Sequence, residues 1–351
     1  MNYKNKKGFL LIMVIVFSFG FLAGCSSNSE TPIEKQGFYM GTVVTEKAYG
    51  QNASQAVAEG MRRIKDLEDK MTVNAPGGEI AQLNVSAGNG AYVPLSSDSL
   101  YVLKSALKYG QLTQGTFDVT IGPLVQSWGS FKPNSKIPSP IEIDRIRELV
   151  NYRDLEFNEK ENAVRLKNPG QMIDLGGIAK GYAGDEVIKI FKAYGIESAY
   201  VNLGGNVVVL GGKPDGSPWN VGIRNPRAQD GSSLGVLEIR DKTVVTSGDY
   251  ERYFEEDGLR YHHILDPQTG YPAQSGLISV TVVSDTSMEA DALSTAVFIL
   301  GLAKGLELVQ SMAGVDAILI TEDREIYITS GLKESFTLTD QGGSYRYHEK
   351  T

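Results

Sequence analysis

"MIDLGGIAKGYAGDEV", residues 172–187, brings an acid, bare backbone and a base together where a helix seems to begin. Asp174 stands just before the pair Gly176–Gly177, Lys180 follows, and an apolar-periodic run then starts. A helix opening at such a pair exposes free N–H groups and the positive end of its dipole, which suits an anion. Glycine also lets backbone approach a ligand closely. The spacing is neither a P-loop, which needs a Gly-Lys-Ser/Thr tail, nor a GxGxxG fingerprint. Taken alone, a turn before an ordinary helix, with Asp174 as its cap, is the simpler reading.

Working outward, the pattern predicts a helix to about Tyr194 and then a strand over "SAYVNLGGNVVVLGG" (198–212). Strand-like runs follow at 219–224, 234–239, 243–247 and 277–284. "TSMEADALSTAVFIL" (286–300) reads as a helix opened by a capping box from Thr286 to Glu289. A helix over 302–313 and the hairpin "AILITEDREIYIT" close the chain. Upstream, "FYMGTVVTEKAYG" (38–50) reads as a strand, 53–70 and 98–112 as helices, 141–149 as a short helix and 155–166 as a hairpin. The Pro/Ser stretch "PNSKIPSP" (133–140) is the one candidate internal break. Helices and strands mix without regular βαβ alternation, which predicts an α+β fold.

The chain has 351 residues and a net charge of −8, so a nucleic-acid groove is not expected as its main surface. Lys4, Lys6 and Lys7 precede the apolar run of residues 8–21, and "LAGC" (22–25) follows it. That order is an export signal, too short for a membrane span. "LAGC" resembles a bacterial lipobox, which implies lipid attachment at Cys25, the chain's single cysteine. The expected organisation is a signal peptide over 1–24, a polar tether over 25–36 and one large domain over 37–351.

Three further stretches carry candidate chemistry. In "ADALSTA" (290–296), Asp291 and Thr295 lie four apart and share a helix face. Two hard oxygens, completed by phosphate oxygens and water, would make a Mg²⁺ site; dipole placement of Asp291 and packing of Thr295 explain the pair equally. In "YHHILDPQTGYP" (261–272), His262 and His263 are two of three histidines. Neighbours on a strand point to opposite faces, so at most one meets a site, and His263 beside the Asp-Pro turn is preferred as a proton acceptor. In "TQGTFDVTIGPLVQSWG" (113–129), Thr116, Phe117 and Asp118 could wall a flat heterocycle or serve the core.

The ordered set "FYMGT", "GTFDVTIGPLV", "DLGGIAKGYAGD", "VNLGGN", "HHILDPQTG" and "EADALSTA" resembles the ApbE family, the FAD:protein FMN transferases. The resemblance runs from about Phe38 to near the C-terminus. It implies a T-fold-like architecture and a reaction: a Thr or Ser hydroxyl of an acceptor protein attacks the FMN phosphorus of FAD, and AMP leaves. It implies an acceptor with a Ser/Thr-Gly-Ala-Ser/Thr-like motif and a membrane-anchored, exported enzyme. By motif, Gly177, Asp291 and Thr295 become ligands of Mg²⁺. Met40, Asn74, Thr116, Phe117, Asp118, Asp174, Lys180, Ile264 and Leu265 become FAD-contacting positions; His263, or a nearby acid, is the expected acceptor of the hydroxyl proton. FAD hydrolysis to FMN and AMP, or flavin binding without chemistry, are the alternatives.

Overall fold

The computed structural model describes residues 31–131, 135–340 and 343–349; the expected export signal and Cys25 lie outside them. Strands β1 (Ile33–Tyr39) and β2 (Thr42–Tyr49) form a hairpin in which Phe38 faces Val43. Met40 and Gly41 turn it, both at positive φ (50° and 73°), the backbone a two-residue type I′ turn requires. The expected single strand over 38–50 is thus two strands. The expected tether also ends sooner, because Ile33–Gln36 already pair with β2. Their polar side chains stay exposed because β1 is a sheet edge.

Helix α1 (Ala53–Met71) buries Ala56, Val57, Gly60, Ile64 and Leu67 along one face, as their spacing predicts. α2 (Glu79–Val85) and β3 (Val93–Pro94) follow. α3 (Ser97–Leu112) is capped by Ser96, whose hydroxyl accepts from the Ser99 N–H. α4 (Gly122–Ser127) and α5 (Pro140–Arg147) flank the Pro/Ser stretch. That stretch is no boundary: Trp128 and Phe131 before it pack with Ile143 and Leu265 after it. β4 (Leu155–Asn158) and β5 (Ala163–Leu166) form the expected hairpin.

α6 (Ala179–Ala193) leads to β6 (Ser198–Leu203) and β7 (Asn206–Leu210). Gly204 and Gly205, both at positive φ, split the expected strand over 198–212 into this hairpin. Next come β8 (Trp219–Arg224), β9 (Ser233–Ile239), β10 (Thr243–Gly248), β11 (Tyr253–Glu256), β12 (Leu259–His262) and β13 (Leu277–Ser284). α7 (Ser287–Gln310) bends at Gly301, whose φ of 78° separates the two predicted helices. β14 (Asp316–Thr321), β15 (Glu325–Ile328), β16 (Phe336–Leu338) and β17 (Arg346–Glu349) end the described chain.

The main sheet runs β1-β2-β6-β7-β10-β13-β14-β15-β17, antiparallel but for β15 with β17. This is the expected α+β class. α1, α6 and α7 cover one face; the β8-β9-β16 sheet covers part of the other through Trp219, Ile223, Leu237 and Phe336. Central β13 is buried at every position, its apolar residues interrupted by the buried hydroxyls of Ser279, Thr281 and Ser284. Glu46 of β2 is fully buried against Gly60 of α1, and burial pushes its carboxyl up to about 9.

Candidate active site

The Gly-Gly turn is held from both sides. Asp174 donates its N–H to Val119 O at 2.8 Å, and Gly122 donates to Met172 O at 3.2 Å. The Asp174 carboxylate accepts the Gly176 N–H at 2.7 Å, so it closes the turn and does not cap the helix. α6 itself begins at Ala179, beyond both glycines. Lys180 reaches back, its Nζ donating to Gly176 O at 3.2 Å.

Asp291, on the first turns of α7, points into this corner with 4% of its surface exposed. Its Oδ2 accepts the Gly181 N–H at 2.8 Å, and its Oδ1 faces the Lys180 ammonium at 3.8 Å. Thr295 stands one turn along the same face, its Oγ1 at 3.5 Å from Asp291 O. A side chain at Gly177 would begin 3.3 Å from Thr295 Oγ1 and 3.2 Å from the Phe117 ring, and would crowd both. Gly177, Asp291 and Thr295, distant in sequence, therefore meet. Among the described residues no three His, Cys, Asp or Glu side chains gather as a metal cage. One carboxylate, one hydroxyl and one backbone carbonyl suit a hard cation that takes its other ligands from phosphate and water.

The two histidines part, although not by strand alternation: β12 ends at His262 and His263 lies in the bend that follows. His262 is buried, edge-on to Phe298, with Nε2 donating to Ala273 O at 3.1 Å. His263 is half-buried in a crowded cleft, and its Nδ1 lies 3.2 Å from Arg252 O. A carbonyl only accepts, so Nδ1 carries the proton and Nε2 keeps its lone pair. Burial, then the charge of Arg252, pushes the imidazole down to about 3. It is neutral at physiological pH. The charge of Lys180 contributes to that depression and also lowers the Glu251 carboxyl against the larger upward effect of burial.

The remaining expected positions divide. Thr116 and Phe117 are buried beside the Gly-Gly turn. The Asp118 carboxylate is already engaged, accepting from Thr120 N and Oγ1 and from Tyr152 N at 2.6–2.8 Å, so it orders its own loop. Met40 sits in the β1–β2 turn, its N–H donating to Glu68 Oε1 at 2.6 Å. Exposed Asn74 lines a 350 Å³ pocket with Val73, Pro76, Ala81, Asn84 and Met172. Ile264 and Leu265 send their side chains into two core clusters, which leaves only backbone for a ligand.

The sequence reading missed several groups. The Arg252 carbonyl that sets the His263 tautomer carries no side-chain signal. The expected capping box at Thr286 is absent: Thr286 makes no side-chain cap, and Glu289 instead accepts from Ser284 Oγ at 2.6 Å. Asp185 of α6 takes over, accepting from Ser287 N and Met288 N at 2.7 and 2.9 Å. Ser247 of β10 bonds Ser294 at 2.8 Å directly behind Asp291.

Fold and site define a class, a mixed α+β protein that brings hard oxygen donors against a bare Gly-Gly turn and carries a neutral histidine. The chain belongs to the ApbE family, whose model matches residues 40–319. It is 35% identical over 303 residues to an FAD:protein FMN transferase of Klebsiella pneumoniae, covering 86% of this chain and 93% of that one. It is 33% identical over 320 residues to one of Treponema pallidum, covering 86% and 88%. The ApbE crystal structure from Thermotoga maritima superimposes with a TM-score of 0.81 at 32% identity, over 87% of this chain and 99% of that one. The flavin transferase ApbE from Vibrio cholerae gives 0.78 at 29%, with the same coverage.

Proposed function

We propose that this chain transfers the FMN half of FAD to a Ser or Thr hydroxyl of an acceptor protein. The observation that carries the proposal is the meeting of Gly177, Asp291 and Thr295 at one corner, with the Lys180 ammonium facing Asp291. Its relatives' names, FAD:protein FMN transferase, point to the same reaction.

In the transfer, the acceptor hydroxyl oxygen bonds to the FMN phosphorus. The phosphoanhydride P–O bond breaks, and the oxygen leaves with AMP. The hydroxyl proton goes to His263 Nε2, which the Arg252 carbonyl keeps unprotonated and oriented. Asp291, Thr295 and the Gly177 carbonyl would hold Mg²⁺, which supplies charge neutralisation at the pyrophosphate. Lys180 adds a mobile positive charge at the same corner. The pocket beside Asn74 and Met172, largely apolar and 350 Å³, has room for a flat ring system. The acceptor would present its hydroxyl in a Ser/Thr-Gly-Ala-Ser/Thr-like motif. A lipid on Cys25 would keep the enzyme on the outer face of the cytoplasmic membrane or in the periplasm.

Incubation with FAD and Mg²⁺, with and without an acceptor peptide, tests the reading. AMP released only with the peptide supports transfer. AMP released without it supports hydrolysis by the same site, and no AMP leaves flavin binding alone.

A further inference from the structure

Helices α6 and α7 hold each other by their first turns. Gly181 and Asp185 lie four apart on α6; Ser287 and Asp291 lie four apart on α7. Asp185 accepts the Ser287 and Met288 N–H groups at 2.7 and 2.9 Å, and Asp291 Oδ2 accepts the Gly181 N–H at 2.8 Å. Each helix thus lends a carboxylate to the other's backbone. Contact is close: any side chain at Gly181 would run into the Ser287 carbonyl. Thr286, in the N-cap position of α7, makes no side-chain cap of its own. The orientation of the first turn of α7 therefore depends on Asp185.

We propose that Asp185 is a positioning residue for the cation site. It touches none of Gly177, Asp291 or Thr295. Instead it anchors the turn from which Asp291 projects, so that Oδ2 meets Gly181 and Oδ1 is left facing the cleft and Lys180. Without this anchor the first turn of α7 loses two charge-assisted hydrogen bonds, and the Asp291 carboxylate is no longer held against the Gly177 turn. The inference rests on the reading of Gly177, Asp291 and Thr295 as a cation site.

The test is Mn²⁺ binding to the whole protein in the presence of FAD, followed by the loss of the free-ion paramagnetic resonance signal. Asp185→Asn keeps size and one acceptor, but turns an NH₂ toward the second amide donor; Asp185→Ala removes both acceptors. Groups that orient metal ligands from outside change metal affinity about tenfold or more when lost. The expected result is a Mn²⁺ dissociation constant raised about tenfold in the alanine variant and less in the asparagine variant. Saturating Mn²⁺ should then restore most of the turnover. Leu237→Ala, a cavity in the distant β8-β9-β16 layer, serves as control. It should lower the melting temperature and leave Mn²⁺ affinity unchanged.

Unchanged Mn²⁺ affinity in folded Asp185→Asn overturns the inference and leaves the cation site standing. An equal shift in Leu237→Ala overturns it too, since the effect would then follow stability alone. Failure of the unaltered protein to bind Mn²⁺ overturns the cation site and the inference together. The near-isosteric Asp185→Asn decides the matter even where Asp185→Ala fails to fold.

Discussion

Asp291 serves fold and chemistry at once, and two substitutions separate those roles. Asp291→Ala takes the acceptor from the Gly181 N–H, which lies buried at 2.8 Å from Oδ2. An orphaned buried donor costs about 1–3 kcal/mol. In a domain of this size that lowers the melting temperature by roughly 2–10 °C. Asp291→Asn retains a carbonyl oxygen for Gly181 and should cost less than about 1 kcal/mol. Both variants remove the negative charge, and with it the one anionic ligand the protein would supply to the proposed Mg²⁺. Loss of several kcal/mol of transition-state stabilisation corresponds to a rate reduced by at least about a hundredfold. Thermal melts should therefore separate the two variants, while AMP release at saturating FAD should not. An asparagine variant retaining more than about a tenth of the rate would refute the reasoning. So would full activity of either variant with chelator present.

His263→Ala should slow transfer by about a hundredfold or more, since a positioned base typically contributes that much. With its imidazole pushed down to about 3, the unaltered enzyme's rate should show no step from this ring between about pH 6 and 8; a variant rate equal to the parent's across pH removes the assignment. Glu46 is raised from 4.5 to about 9, so the fold binds a proton there that the unfolded chain releases above 4.5. Its contribution is intact below 4.5 and is lost as pH rises toward 9, reaching about 3 kcal/mol at pH 7 as an upper bound. Glu46→Gln should flatten the fall of melting temperature across that window, and an unaltered slope contradicts the burial argument. Gly181→Ala should destabilise by about 1–3 kcal/mol, because the added methyl meets the Ser287 backbone; a melting temperature equal to the parent's would deny the close α6–α7 contact.

Where the sequence reading held, a periodic signal or a shared helix face carried it. The face of α1 and the pairing of Asp291 with Thr295 follow from helical spacing; His262 and His263 part as expected, but because β12 ends at His262. The losses have local physical causes. Positive φ at Met40–Gly41 and at Gly204–Gly205 turns two predicted strands into hairpins, because the β-rich runs on both sides of each pair read as one strand. Ile264 and Leu265 stand next to the candidate histidine yet answer to the core. Asp118 has the composition of a ligand residue, but its carboxylate is engaged by partners up to 34 positions away. Asp185 was invisible as a cap because the helix it caps begins 102 residues later. The Arg252 carbonyl was invisible because backbone groups leave no mark on residue type.

The most direct test of the account is mass spectrometry of an acceptor protein produced together with this chain. The account predicts an added FMN on a single Ser or Thr of the acceptor, present with the unaltered enzyme and absent with Asp291→Asn. An acceptor that stays unmodified while FAD is converted to free FMN and AMP would contradict it.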